Sequence, residues 1–260
     1  MIDTHSHLLP WVDHGCPDLD TSLLMAREAA ASGIHTVVCT PHLPEWDEAQ
    51  IRRTREVIEE VRAAVTAAGI GLTLLLGFEV EAGVAAFADE EALGTLAIEG
   101  SGGAIVLEMP YTGWPVYMDE AIFRLSTSGF LPVLAHPERN DRVQKSSDLM
   151  VGCIKAGAIG QSTAASLSGE FGRGPAQALR RLLSEGLIQL IASDAHAYRR
   201  EGWTLAPMLA ALAGLVSEET LTVLSDTNPG RLLAGESLLT VTAEGGSSGR
   251  SWRTERRRSR

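Results

Sequence analysis

Seven short segments built almost wholly from apolar residues recur along the chain, at positions 1–3, 35–39, 73–77, 104–107, 132–135, 158–161 and 189–192. A strand with one wet face alternates apolar and polar side chains; a strand buried on both faces does not. These runs therefore predict a parallel sheet covered on both sides. The cover is legible too. Residues 19–32, 48–68, 116–128, 147–156, 175–184, 205–215 and 217–225 read as helices, and the first two stop before Gly33 and Gly69, where a left-handed residue can end a helix. Strand–helix units repeated this way leave two architectures, an α/β barrel or a doubly wound sheet. The length, 260 residues, suffices for one large domain or two small ones.

The residues that follow the strands carry the chemistry. His5 and His7, then His14, follow the first strand, and His42 follows the second in Thr-Pro-His. Glu79 follows the third, Glu108 the fourth, His136-Pro-Glu-Arg139 the fifth, and Ser-Asp194-Ala-His196 the seventh. Parallel strands converge at their C-terminal ends, so residues distant in sequence can surround one volume there. Six of the seven histidines occupy such positions; His35 does not. Each residue alone has an ordinary reading as a polar strand end, a turn or a helix cap. Together, His5, His7, His14, His42, Glu79, Glu108, His136, Asp194 and His196 make nine metal-type side chains, and the chain's two lysines, Lys145 and Lys155, lie elsewhere. Divalent cations are the economical source of the missing positive charge.

Mixed imidazole and carboxylate donors without a thiolate cluster suit Mn²⁺, Fe or Zn, and nine donors suit two or three ions. Closely spaced metals generate hydroxide near neutral pH and clamp the oxygens of a displacement at phosphorus. Arg139 is placed to grip a phosphate oxygen, its plain alternative being an ion pair with Glu138 or Asp141; Arg199 and Arg200, just beyond His196, are further candidates. Other schemes fail. Six positions after Cys16, Cys39 and Cys153 stand Ser22, Glu45 and Ile159, not the arginine a cysteine phosphatase requires. No Gly-x-Ser-x-Gly elbow, dinucleotide fingerprint or P-loop occurs.

Three cysteines are too few, and odd in number, for a disulfide framework, and no secretory signal opens the chain; a cytoplasmic location is expected. A net charge of −11 argues against nucleic acid as a partner. Six arginines crowd the last eleven residues, RSWRTERRRSR, so the rest is more acidic still. Residues 239–260 lack a core-forming pattern and are expected to be a disordered basic tail, leaving 1–238 as the domain. The tail is either an inert terminus or a weak contact with an anionic membrane surface or an acidic partner.

The motifs MIDTHSHLLPWVDHG, VVCTPH, LEMP, GFLPVLAHPERN, QSTAASLSGEFG, ASDAH and NPGRLLAGE together resemble the PHP (polymerase and histidinol phosphatase) superfamily. Within it, the chain is most similar to the tyrosine-protein phosphatases of bacterial capsule and exopolysaccharide loci, the CpsB/CapC type. The resemblance covers about residues 1–236 and implies a distorted (β/α)7 TIM-like barrel with three metal ions, usually manganese. It implies that His5, His7, Glu79 and Asp194 hold one metal. Glu79 would bridge to a second, held with Glu108 and His136, and His14, His42 and His196 would hold the third. Three departures stand out: His14 where Asp-Asp-Gly is usual, Asn140 where an aromatic often follows His-Pro-Glu-Arg, and Thr163 where the pattern has Asn. The expected activity is hydrolysis of phosphotyrosine on a protein, an autophosphorylating tyrosine kinase of polysaccharide export being the expected partner. The rivals are a small-molecule phosphatase, for histidinol phosphate or a sugar phosphate, and a non-catalytic regulator that binds a phosphoprotein. The oligomeric state is not legible.

Overall fold

The computed structural model describes residues 1–197 and 205–242. Its strands are β1 (Ile2–Ser6), β2 (Thr36–Cys39), β3 (His42–Leu43), β4 (Thr73–Leu76), β5 (Glu79–Glu81), β6 (Ala104–Glu108), β7 (Leu131–Ala135), β8 (Ile159–Thr163) and β9 (Leu190–Ala192). All pair in parallel, in two ladders ordered β1-β2-β4 and β3-β5-β6-β7-β8-β9. Every expected strand is present, and the second and third are each continued by an extra short strand. Pro41 has no N–H to offer a ladder, so β2 breaks and restarts as β3. At Gly77 a side chain would crowd Ile98, its Cβ meeting Cγ1 at 3.0 Å, and the chain bends there between β4 and β5. The restarts matter to function. They open on His42 and Glu79, which stand opposite each other in register.

The first and last strands also meet. Asp194 N–H donates to His5 O (2.9 Å) and His7 N–H to Ala195 O (2.9 Å), with a parallel bridge between Ser6 and Ala195. Beneath them the buried Asp3 carboxylate accepts from Ser193 N–H (3.0 Å) and Ser193 Oγ–H (2.5 Å).

Helices α1 (Leu19–Ala31), α2 (Glu48–Ala67), α3 (Ala82–Phe87), α4 (Glu90–Leu96), α5 (Val116–Thr127), α6 (Asp141–Lys145), α7 (Asp148–Lys155), α8 (Arg173–Ser184), α9 (Ala206–Leu212), α10 (Glu218–Thr222) and α11 (Asn228–Leu233) connect the strands. Their starts are chemical. Asp18 accepts from Thr21 N–H and Asp47 from Ala49 and Gln50 N–H, satisfying amides that a helix leaves open at its first turn. The α1 end is set by Gly33 at φ +89°, a conformation that other residues adopt at a cost. Along α2, Ile51, Thr54, Val57, Ile58, Val61 and Val65 are buried, a stripe at three- and four-residue spacing. Each fully buried Val or Ile there contributes about 1.5–3 kcal/mol relative to exposure.

Residues 239–242, which the sequence assigned to the tail, are part of the folded body. Asn228 holds Leu239 at both its N–H (2.8 Å) and C=O (2.9 Å), and Val241 is buried. The folded unit thus reaches Thr242, and the remaining tail, 243–260, lies outside the described residues. Cys16, Cys39 and Cys153 are buried free thiols, and burial pushes each upward from its ordinary pKa. No helix among the described residues is long and apolar enough to cross a membrane.

Candidate metal centre

His5 lies on β1 and His7 just beyond it, two positions apart and therefore on one side of the strand. Their Nε2 atoms stand 3.2 Å apart. Glu79 Oε2, at the start of β5, is 3.2 Å from His5 Nε2 and 3.3 Å from His7 Nε2; Asp194 Oδ1, after β9, is 3.6 and 3.3 Å from the same two atoms. All four side chains are buried. A tetrahedral ion bound at about 2.1 Å has ligand atoms about 3.4 Å apart, which is the spacing of these four.

The outer hydrogen bonds fix what the four atoms present to one another. Gln161 donates through Nε2 to Thr4 Oγ (2.9 Å), so its Oε1 must accept from His5 Nδ1–H (2.8 Å). Asp13 accepts from Gly15 N–H (2.7 Å) and His42 N–H (3.1 Å), and its carboxylate accepts from His7 Nδ1–H (2.7 Å). With Nδ1 protonated on both rings, each Nε2 turns a lone pair inward. Two lone pairs and two carboxylate oxygens then converge with nothing positive among them. That donor set fits a divalent cation.

The electrostatics point the same way. Burial opposes charge on His5, but Glu79 and Asp194 outweigh it and move its pKa upward. Burial likewise opposes charge on His7, yet Asp13, Asp194 and Glu79 push it well above the ordinary value. Burial raises Glu79, and His5 and His136 more than reverse this, holding it well below the carboxylate range. The cluster attracts positive charge, as protons or as a cation.

Glu79 faces two ways. Its Oε2 serves His5, His7 and His42 Nδ1 (3.1 Å), while Oε1 meets His136 Nε2 at 2.8 Å. Two further groups adjoin the first: His42 with Glu79 and Glu108, and His7 with His42 and His196. In the first of these, Glu108 Oε2 is 3.8 Å from His42 Nδ1. Burial, with Glu79 adding to it, raises Glu108 to about 7, and burial lowers His42 to about 4. The grouping differs in detail from the one the resemblance implies. His136 reaches Glu79 without joining a tight group, and exposed His14 joins the neighbourhood through its ring, stacked on His42 at 4.9 Å and 4° and lying 5.1 Å from His196. His35 is exposed and lies beside Asp226, away from the centre.

The loop carrying Asp13 and His14 is drawn against β1 at Gly15. A Cβ there would fall 2.2 Å from His7 Cβ, so only glycine allows the approach. His136 and Asp194 adopt left-handed φ values of 38° and 50°. Strain of this kind persists where surrounding bonds over-determine it.

Arg139 is buried, and its partner is neither Glu138 nor Asp141. Its Nη1 pairs with Asp194 Oδ2 (2.8 Å), and the guanidinium lies 3.9 Å over the Phe171 ring. Nε and Nη2 are buried without a protein partner among the described residues. Glu138 is instead consumed by Ser162 Oγ–H (2.7 Å), Thr163 N–H (3.2 Å) and Ser166 Oγ–H (2.8 Å). Arg199 and Arg200 lie outside the described residues.

A family model described as capsular polysaccharide synthesis, CpsB/CapC, matches residues 1–234. The chain belongs to that family. The tyrosine-protein phosphatase YwqE of Bacillus subtilis (strain 168) is 32% identical over 197 residues, 75% of this chain and 77% of the relative. A solved structure from work on YwqE from Bacillus subtilis and CpsB from Streptococcus pneumoniae, described as unique metal-dependent tyrosine phosphatases, matches with a TM-score of 0.79 at 27% identity, over 95% of this chain and 99% of that one. The organophosphorus hydrolase from Deinococcus radiodurans shares the mixed α/β fold at 15% identity, with a TM-score of 0.51 over 89% and 92% of the two chains.

For this CpsB/CapC chain, two residues of the centre escaped the reading of strand ends. Gln161 sits on β8, the one predicted strand whose end offered no metal-type side chain, and it orients His5 rather than converging with it. Asp13 had a visible sign, standing beside His14 six residues after His7, but its role as the anchor of His7 depends on a loop that only the fold closes.

Proposed function

We propose that this chain is a metal-dependent phosphomonoesterase that hydrolyses phosphotyrosine on a protein, with an autophosphorylated tyrosine kinase of polysaccharide export as its substrate. The observation that carries the reading is the buried convergence of His5, His7, Glu79 and Asp194 at ligand spacing. The names of the relatives add tyrosine phosphatase activity and metal dependence.

His5, His7, Glu79 and Asp194 would hold one ion. Glu79 with Glu108, His42 and His136 would hold a second, and His14, His42 and His196 would hold a third; manganese would be the metal of choice, with Fe and Zn as substitutes. When bound, the ions supply positive charge and water activation at phosphorus. The chain's own residues do the rest. Gln161 and Asp13 keep the His5 and His7 lone pairs aimed inward. Asp194 and Phe171 hold Arg139 rigid, so its Nε and Nη2 donors meet a phosphate oxygen without reorganising.

The ring of strands supports a distorted (β/α)7 barrel as the scaffold: the two ladders continue one another through the β2/β3 and β4/β5 bends, and hydrogen bonds join β1 to the end of β9. We take it as a single domain in the cytoplasm. Purified protein with Mn²⁺ is expected to release phosphate from phosphotyrosine peptides faster than from histidinol phosphate, and His136→Ala to abolish release. Absence of release from any aryl phosphate sinks the proposal.

A further inference from the structure

Tyr111 is 56% exposed, yet the loop that carries it is held by four hydrogen bonds from Asn140 and Asp141. Asn140 Nδ2 donates to Pro110 O (2.6 Å) and Gly113 O (3.0 Å). Asp141 N–H donates to Tyr111 O (2.9 Å), and Asp141 Oδ1 accepts from Gly113 N–H (2.7 Å). Four bonds to its backbone thus fix a turn whose one large side chain is half-exposed. Asn140 is fully buried and is itself locked, its Oδ1 accepting from Arg142 and Val143 N–H at the start of α6. Both clamping residues directly follow Arg139, so the clamp ties the tyrosine to the guanidinium. The Tyr111 hydroxyl lies beside Arg139, and its ring runs parallel to His136, with 10° between planes and 6.2 Å between centroids.

A flexible aromatic at a rim has little to offer a ligand, because ordering it costs entropy; an aromatic held in advance does not incur that cost. Here the ordering comes from backbone bonds that leave the ring free to be covered. The position fits an aromatic group attached to phosphorus. Arg139 presents buried Nε and Nη2 donors without a protein partner among the described residues, suited to an oxyanion. An aryl group one ester bond from an oxyanion held there would meet the neighbouring Tyr111 ring, aromatic pairs forming over centroid separations of about 4.5–7 Å.

Resting on the phosphatase reading above, we propose that Tyr111, held by the Asn140–Asp141 clamp, is a specificity-determining residue that stacks on the aryl group of the substrate and favours aryl over alkyl phosphates. Asn140, fully buried, then acts as a positioning residue for that aromatic side chain.

The test is binding, not turnover. Dissociation constants of phenylphosphonate and methylphosphonate, neither of which can be hydrolysed at its P–C bond by this chemistry, are measured by calorimetry on the Mn²⁺-supplemented full chain. The unmodified protein is expected to prefer phenylphosphonate by about tenfold. Tyr111→Ala should bring that ratio to within about twofold by weakening phenylphosphonate alone, while Tyr111→Phe keeps it. Thermal unfolding of both variants checks that the clamp survives. A ratio unchanged in folded Tyr111→Ala overturns the proposal, as does equal weakening of both ligands or failure of the unmodified protein to bind either. A preserved phenyl preference in a protein that releases no phosphate from aryl phosphates would remove the phosphatase reading and leave Tyr111 in its role.

Discussion

Glu79 and Glu138 are both fully buried carboxylates, and their surroundings could hardly differ more. Glu138 is met by three fixed donors, two hydroxyls and a backbone N–H, from β8 and the turn after it. Its desolvation is offset within the protein, and its work is to tie the His136-Pro-Glu-Arg turn to β8. Glu79 is met by His5, His7, His42 and His136, rings whose inward nitrogens are acceptors unless protonated. The fold has buried this carboxylate among imidazoles, with no hydroxyl or backbone N–H donor among the described residues to meet it. A carboxylate the protein satisfies is architecture; one it buries and leaves to imidazoles is an invitation to a cation.

Charge-removing variants should separate the two most sharply. Mn²⁺ is expected to raise the Tm of the unmodified protein, and Glu79→Gln to erase that rise and to lower phosphate release more than about a hundredfold. Glu138→Ala should keep that metal-dependent rise but lower Tm in every condition by roughly 6–12 °C, from about 3 kcal/mol of stranded donors. If Glu138→Ala also abolished the response to Mn²⁺, the contrast would break. Asp13→Asn tests the anchoring of His7. It should weaken manganese binding about ten- to a hundredfold by titration calorimetry, with modest change in the unfolding of metal-free protein.

A smaller effect comes from Glu108, raised to about 7 by burial and by Glu79. On the proposed ligand set a bound ion would need its carboxylate, so affinity should rise with pH and gain about tenfold between pH 6 and pH 8 from this group alone. The folded-state pKa lies above the unfolded one, so in metal-free protein Glu108 binds more protons when folded. Its contribution to stability therefore falls as pH rises from about 4.5 to about 7. A pH-independent manganese affinity would show that Glu108 lies outside the binding set. At the bottom of the scale stands Lys145, which pairs with Asp141 at 3.2 Å in full view of solvent. Lys145→Ala should leave Tm and phosphate release unchanged within error, as exposed pairs generally do.

The strands and most helices were legible because burial on two faces leaves an unbroken apolar run, and because helix ends carry their own punctuation. The short helices α3, α4, α6 and α11 were not, since five to seven residues show too little of a 3.6-residue period. The nine metal-type residues could be found one strand end at a time. Their grouping could not, because it depends on the bends at Pro41 and Gly77 that swing His42 and Glu79 into register. Arg139 shows the same limit. Its neighbours in sequence, Glu138 and Asp141, suggested an ordinary pair, while its true partner, Asp194, arrives from the far end of the chain.

The meeting of the first strand with the last has a consequence in time. Asp3 and Ser193 are 190 residues apart. A ribosome adding about 5–20 residues per second takes roughly 10–40 s to cover that stretch. For nearly all of that interval His5 and His7 are already made, on a strand that gains β2 on one side early and has nothing yet on the other. The centre therefore cannot close until Asp194 has been made, and a chain cut short before it would have most of its helices and none of its chemistry.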